Sequence, residues 1–382
     1  MTAAEAADAA ATAASHPFDL GDDARWDEWR RAAPPAPPDE GALDDALSAP
    51  SAATIAALAR CPGDVVVLGA GGKMGPTLAR MVRRTLDALP DANARRVVAV
   101  SRFASAGSRA SAEGLNAAGI ETVACDLSDA RAVARDLPDA PNVFFMAGQK
   151  FGTAAAPGDT WMMNTVVPAY CADRYRDSRV VAFSTGNVYP LTPATRGGSR
   201  ETDTPAPVGE YAASCLGRER VLEHFAARHG TRVALVRLNY AVDLRYGVLT
   251  DVALKVWRGE PVDVTMGWVN VIWQRDACDA AVACLPHAAS PDAFVVNVTG
   301  AELLSVRDLA TRFGTLLGRP PVIVGHEAPD ALLSNTSLMS ATFGDVPRTP
   351  LAQVMLWTAS WIRAGGRLLG KPTKFEVRSG EF

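Results

Sequence analysis

The spacing of apolar positions changes near residue 64. From there, short β-branched runs alternate with stretches in which apolar residues recur every three or four positions. "DVVVLGA" opens the series and the amphipathic "TLARMVRRTLDAL" follows it. "RRVVAVSRF", "IETVACDL", "PNVFFMAG", "SRVVAFSTG" and "TRVALVRLNY" supply further strand patterns, with helical patterns between them. Continuous apolar strands joined by helices are what a parallel sheet covered on both faces requires. "DAFVVNVTG" reads as one more strand, near 294–298, returning to the sheet late in the chain.

The first junction carries chemistry. In "VVVLGAGGKMGPTLARM", Gly69, Gly72 and Gly75 fall at G-x-x-G-x-x-G between a strand and a helix, with Lys73 and Met74 inside the turn. Such a turn lets backbone approach a pyrophosphate, and the helix start offers free amides and a positive dipole end. The pattern implies a dinucleotide. At the end of the second strand stand Ser101 and Arg102, where an NAD site usually carries an acid. A guanidinium suits a 2′-phosphate, which points to NADP with NAD as the alternative. The fold class is thus α/β, a Rossmann-like doubly wound parallel sheet with a smaller C-terminal substrate lobe. Residues 61–240 form the dinucleotide domain, and 241–382 form the lobe. Residues 1–60 are read as a partly disordered add-on. Within them 1–16 are low-complexity and frayed, "DLGDDARWDEWRR" is a short helix, the proline-rich 33–41 is irregular, and "SAATIAALAR" is a helix capped by Ser51.

Composition narrows the partners. A formal net charge of −4 gives no reason to expect nucleic acid or an anionic membrane. No apolar run reaches the length of about 18 residues that spans a bilayer. The N-terminus lacks a positive stretch and makes a poor signal peptide. The six cysteines show no C-x-x-C pair and the five histidines no ligand spacing, which favours reduced cytoplasmic thiols and no metal site.

Together these motifs resemble the extended short-chain dehydrogenase/reductase family of NAD(P)-dependent epimerases and dehydratases. Besides the glycine turn, the resemblance covers Asp126-Leu127 near the adenine, Ala147-Gly148 over the cofactor, and the helix asparagine Asn164. It also covers "FSTGNVYP", which puts the catalytic hydroxyl on Thr185, and the late segment "FGDVPRTPLAQVMLWTASWI". It implies Tyr211 as acid/base, a small polar or sugar-derived substrate, and a homodimer through the helices of Asn164 and Tyr211. Two departures stand out. The family's Y-x-x-x-K reads Tyr211-Ala-Ala-Ser-Cys215, and Asn239 in "RLNYAVDLRYG" is one residue out of register.

A free phenol ionises near pH 10. Without a lysine it lacks the cation that would favour its charged form, and Cys215 supplies none. A thiol nucleophile at Cys215 has no base close by. Arg218 shares the helical face of Tyr211 but is read as a surface or interface charge. Lys150, just past the fourth strand, is balanced between site residue and solvated loop. Arg245, Tyr246, Trp268, Asn270 and Gln274 are candidates for the substrate pocket. The leading expectation is an oxidoreductase or epimerase. The alternatives are a dinucleotide-binding sensor or structural protein, or a lyase or isomerase with tightly held cofactor.

Overall fold

The structure is a computed structural model that describes residues 19–91, 94–344, 346, 348–371 and 373–381. Seven strands form one sheet: β1 (Val65–Leu68), β2 (Val97–Ser101), β3 (Glu121–Ala124), β4 (Asn142–Phe145), β5 (Arg179–Thr185), β6 (Arg232–Leu238) and β7 (Phe294–Val298). Each sequence pattern read as a strand contributes one. They are all parallel, in the order β7-β6-β5-β4-β1-β2-β3. All four residues of β1 are buried because alternate side chains enter different layers. Val65 and Val67 pack with helices Ala52–Arg60, Gly75–Asp87 and Gln274–Ala283. Val66 and Leu68 pack with helices Ala130–Asp136, Val167–Arg174 and Gly209–His229. β1 pairs with β2 on one side and β4 on the other, so chain direction across the sheet reverses there. The carboxyl ends of β1 and β4 therefore flank a crevice, the place where open α/β sheets bind ligands.

A second hydrophobic core joins helices Val248–Arg258, Val306–Leu317 and Leu351–Arg363. Leu20, Trp26, Leu43 and Leu47 belong to it. The N-terminal stretch is thus not an add-on from residue 19 onward: it completes the smaller lobe. Arg312 donates to the Leu20 carbonyl and to Asp23, each at 2.7 Å, and Trp357 Nε1 donates to the Pro34 carbonyl at 2.9 Å. Helix Asp23–Ala32 is capped by Asp22, and Ser51 and Thr54 form a reciprocal cap for Ala52–Arg60. One further helix, Glu40–Leu47, starts inside the stretch expected to be irregular. Past Pro38 nothing blocks it, and Asp39 accepts from the Ala42 amide at 2.8 Å. Residues 1–16, expected to be frayed, lie outside the described residues. Among the described residues no helix is long and apolar enough to cross a membrane.

Candidate active site

The glycine turn is shaped by close backbone approaches. Gly69 has φ +87°, and a Cβ there would stand 2.5 Å from the Ala147 amide nitrogen at the end of β4. At Gly75 it would stand 2.5 Å from the Ala70 carbonyl. Gly72 faces the crevice and meets only the Gly69 carbonyl, at 3.2 Å. Helix Gly75–Asp87 begins after Met74 with no side-chain cap, so its first amides are available to a ligand. An open glycine and an uncapped helix start fit a dinucleotide pyrophosphate. Ser101 ends β2 half-buried, and Arg102 beyond it is exposed. Leu127 is buried. Asp126 is exposed; the Ser128 hydroxyl and amide hold its carboxyl below the usual range, and Arg102 lies close enough to add to this.

The catalytic candidates meet where β4 and β5 end. Thr185 closes β5, and its Oγ1 accepts from both the amide and the side chain of Asn187, at 3.2 and 3.0 Å. Tyr211 lies in the first turn of helix Gly209–His229, hydrogen-bonded to Thr185 and in contact with the Cys215 thiol. Burial pushes its phenol far above the ordinary value, opposed by the Thr185 bond and the Arg218 charge. Cys215 is 1% exposed and packs against Val188 and Tyr189. Burial raises its thiol too, which suits a small apolar filler and not a nucleophile.

Asn164 is fully buried in a π-helical turn, Met162–Val166. Its Oδ1 accepts from the Gln149 amide (2.8 Å) and Arg218 Nη2 (3.0 Å), and its Nδ2 donates to the Gln149 carbonyl (2.9 Å) and Ser214 Oγ (3.0 Å). An amide side chain has two donors and two acceptor sites, so all are taken. The residue clamps the loop after β4, with each of its side-chain donors and acceptors engaged.

Arg218 is not a surface charge. It is 5% exposed, donating to the Phe183 carbonyl and, through Nε at 3.2 Å, to the Asn164 carbonyl. Its guanidinium lies 5.4 Å from the Phe145 ring centre and directly beneath Gly148, where a Cβ would stand 2.7 Å from Nη2. The carbonyls that hold it come from β5 and the π turn. Helical spacing put Arg218 on the right face but could not reveal them.

A cavity of about 140 Å³ connects these groups. Lys73, Met74, Lys150, Thr185, Tyr211 and Asn239 are on its wall. Lys150 Nζ lies 6.0 Å from the Tyr211 ring centre and donates to the Thr373 carbonyl at 3.3 Å. Burial lowers its pKa to about 8. Lys73 reaches back from the glycine turn, its Nζ 2.8 Å above the Tyr246 ring centre. Burial, then the Lys150 charge, lower its pKa well below the ordinary value. The residue as a whole is exposed. Asn239 is buried and donates to Asn270 Oδ1 at 3.0 Å. Tyr240 beside it has φ +43°, an unusual conformation for a bulky residue, and also lines the cavity.

Of the pocket candidates, Tyr246 lines the cavity, whereas Arg245 is held by Asp243 and Asp44, and Gln274 donates to Thr77. Trp268 pairs with Ser305 in a short ladder, and Asn270 stands behind Asn239. Lys73 was read from the glycine turn, whereas Tyr240 and Thr373 carried no sequence signal as wall residues. For Thr373 none existed, since it arrives from the chain's last segment.

Sheet order, glycine turn and crevice define a Rossmann-type dinucleotide fold of the short-chain dehydrogenase/reductase class. The model of the NAD dependent epimerase/dehydratase family matches residues 65–298, and the chain belongs to that family, whose members are enzymes. No curated protein matches the chain. Solved structures do. MoeE5 in complex with UDP-glucose and NAD is 21% identical, covering 79% of this chain and 99% of that one at a TM-score of 0.63. The dTDP-glucose 4,6-dehydratase DesIV from Streptomyces venezuelae, with NAD and TYD bound, is 20% identical, with 78% and 97% covered and a TM-score of 0.65. UDP-glucuronic acid 4-epimerase from Bacillus cereus, in complex with NAD, is 16% identical, with 78% and 98% covered and a TM-score of 0.65. These identities speak for the fold.

Proposed function

We propose that this chain is an NAD(P)-dependent epimerase or dehydratase of the extended short-chain type acting on a sugar-derived hydroxyl compound. In this reading Tyr211 is the proton-exchanging group and Thr185 orients the reacting oxygen. One observation carries the reading: the two hydroxyls are hydrogen-bonded to each other on a cavity wall that also includes Lys73 and Met74 of the glycine turn. Sugar nucleotides as substrates are supported by the ligands bound to MoeE5 and DesIV.

Gly69, Gly72 and Gly75 would admit the pyrophosphate, the first amides after Met74 would bind it, and Ala147 and Gly148 would floor the nicotinamide end. When bound, the dinucleotide supplies a hydride acceptor and donor. The chain's own residues do the rest. The Thr185 hydroxyl, fixed by Asn187, accepts a hydrogen bond from a substrate hydroxyl or donates one to a carbonyl. The Tyr211 hydroxyl takes the proton from that substrate oxygen or returns it. Asn164 and Arg218 hold the loop after β4 and the start of the Tyr211 helix in register. Exposed Arg102 beside the ribose end supports NADP(H), while the complexes with NAD support the alternative. A homodimer through the helices of Asn164 and Tyr211 is part of the reading. Trp161 there remains 40% exposed, and equilibrium sedimentation reads the stoichiometry directly.

The test has two arms. Calorimetric titration with NAD and NADP is expected to give saturable binding, tighter for NADP. The reverse order removes Arg102 from the argument. Conversion of UDP-glucose, UDP-glucuronic acid and dTDP-glucose is then followed by chromatography for the native chain and Tyr211→Phe. The substitution is expected to lower turnover about 10²- to 10⁴-fold with dinucleotide affinity unchanged. Full turnover by Tyr211→Phe would refute the assignment.

A further inference from the structure

We propose that Lys150 is the cation that serves Tyr211, delivered from the loop after β4 and not from the helix that carries the phenol. The inference rests on the reading of Tyr211 as the proton-exchanging group and adds its charge partner.

The geometry is specific. Lys150 Nζ and the Tyr211 ring centre are 6.0 Å apart across one cavity, with Thr185 on the same wall. The ammonium is anchored from the far side by the Thr373 carbonyl at 3.3 Å. Thr373 is itself fixed, because Asp251 Oδ2 accepts from both its amide (2.7 Å) and its hydroxyl (2.6 Å). Meanwhile the position one turn along from the phenol holds Cys215, which is neutral and buried.

The charged and titratable neighbours are few. On the Tyr211 helix they are Glu210, which accepts from Trp161 Nε1 at 2.6 Å, Cys215, Arg218 and Glu219. Glu219 accepts from Arg237 and Ser184, which occupies it away from the phenol. Arg218 acts from beneath, with its donors committed to backbone and Asn164 carbonyls. Lys73 lines the same cavity with its ammonium over Tyr246 and close enough to Lys150 for the two charges to oppose each other, and Asp251 and Lys374 also lie near Lys150. Among the described residues two lysines, Lys73 and Lys150, line the cavity, and the Lys150 ammonium is the one set against the Tyr211 ring, at 6.0 Å. A positive charge there favours the phenolate over the phenol and so moves Tyr211 toward the pH at which it accepts a proton.

The experiment needs no substrate. NAD-saturated protein is titrated with base while the tyrosinate ultraviolet band is followed, and the Tyr211 contribution is obtained by subtracting Tyr211→Phe. Lys150→Met is expected to raise the Tyr211 midpoint by about one to two pH units. Lys150→Arg should stay near the native midpoint, and Lys150→Met/Cys215→Lys should return toward it. NAD affinity should change less than about twofold throughout, a separation that a merely structural lysine would not give. An unchanged midpoint in Lys150→Met overturns the proposal, as does failure of the double variant to recover. Absence of any Tyr211 signal below the pH of unfolding also overturns it.

Should Lys150→Met not fold, Cys215→Lys alone decides. A further fall of a unit or more means that no effective cation was present, whereas a small change means that Lys150 already serves. Turnover by Tyr211→Phe would defeat the underlying function. A normal Lys150→Met midpoint alongside an inactive Tyr211→Phe defeats only this inference.

Discussion

The turn from β1 into helix Gly75–Asp87 and the first turn of helix Gly209–His229 face the same crevice by different means. The glycine turn works through backbone: a left-handed φ at Gly69, a close pass by Ala147 and uncapped amides after Met74. The Tyr211 turn works through side chains and carries an acid, Glu210, but no cation. The nearby cations come from elsewhere: Arg218 from two turns further along the same helix and Lys150 from the loop after β4. A backbone device has to be written where it is used. A charge can be supplied from any element whose side chain reaches the same point.

Gly69→Ala should break the comparison most severely. It forces an alanine to φ +87° with its Cβ 2.5 Å from backbone nitrogen, which we expect to cost about 3 kcal/mol or more and to abolish dinucleotide binding. Chemical denaturation and calorimetry read the two losses, and a stable, binding Gly69→Ala would show that the turn can relax. Arg218→Met comes next. It removes the Arg218 donor from the Phe183 and Asn164 carbonyls and leaves Asn164 Oδ1 with the Gln149 amide alone, an expected loss of about 2 kcal/mol, with lowered turnover and near-native cofactor affinity. Loss of cofactor affinity instead would mean that Arg218 supports the cradle.

The smallest effect concerns Lys150 and has the opposite sign. Its pKa falls from 10.5 when free to about 8 when folded, so between those values the unfolded chain binds more protons. This contribution to stability therefore rises with pH across that window, and the penalty is fully present below it. Lys150→Met should raise the melting temperature at pH 7 by a few degrees while impairing Tyr211, and the gain should vanish toward pH 10. A lower melting temperature at pH 7 would mark Lys150 as a structural strut.

The sheet was legible because strands buried on both faces must be apolar throughout, as Val65–Leu68 is. The cradle was legible because only glycine tolerates the approach at Gly69 and Gly75. What escaped depended on partners far along the chain. Trp26 is buried partly because Arg312 stacks 5.0 Å from its ring, which no local pattern records. Arg218 looked like one of many helix arginines until carbonyls from two other elements fixed it. Lys73 reads as a turn residue, yet the Tyr246 ring captures its ammonium. Helix Glu40–Leu47 was hidden by the prolines before it, although its cap, Asp39, stood in view.

The carbonyl that anchors Lys150 belongs to a tail moored on the smaller lobe, through Lys255 to Glu376 and Arg378 to Asp330. The lysine itself belongs to the loop after β4. One hydrogen bond, Lys150 Nζ to the Thr373 carbonyl, therefore ties the loop after β4 to the chain's last segment, and whatever displaces that segment removes the lysine's anchor.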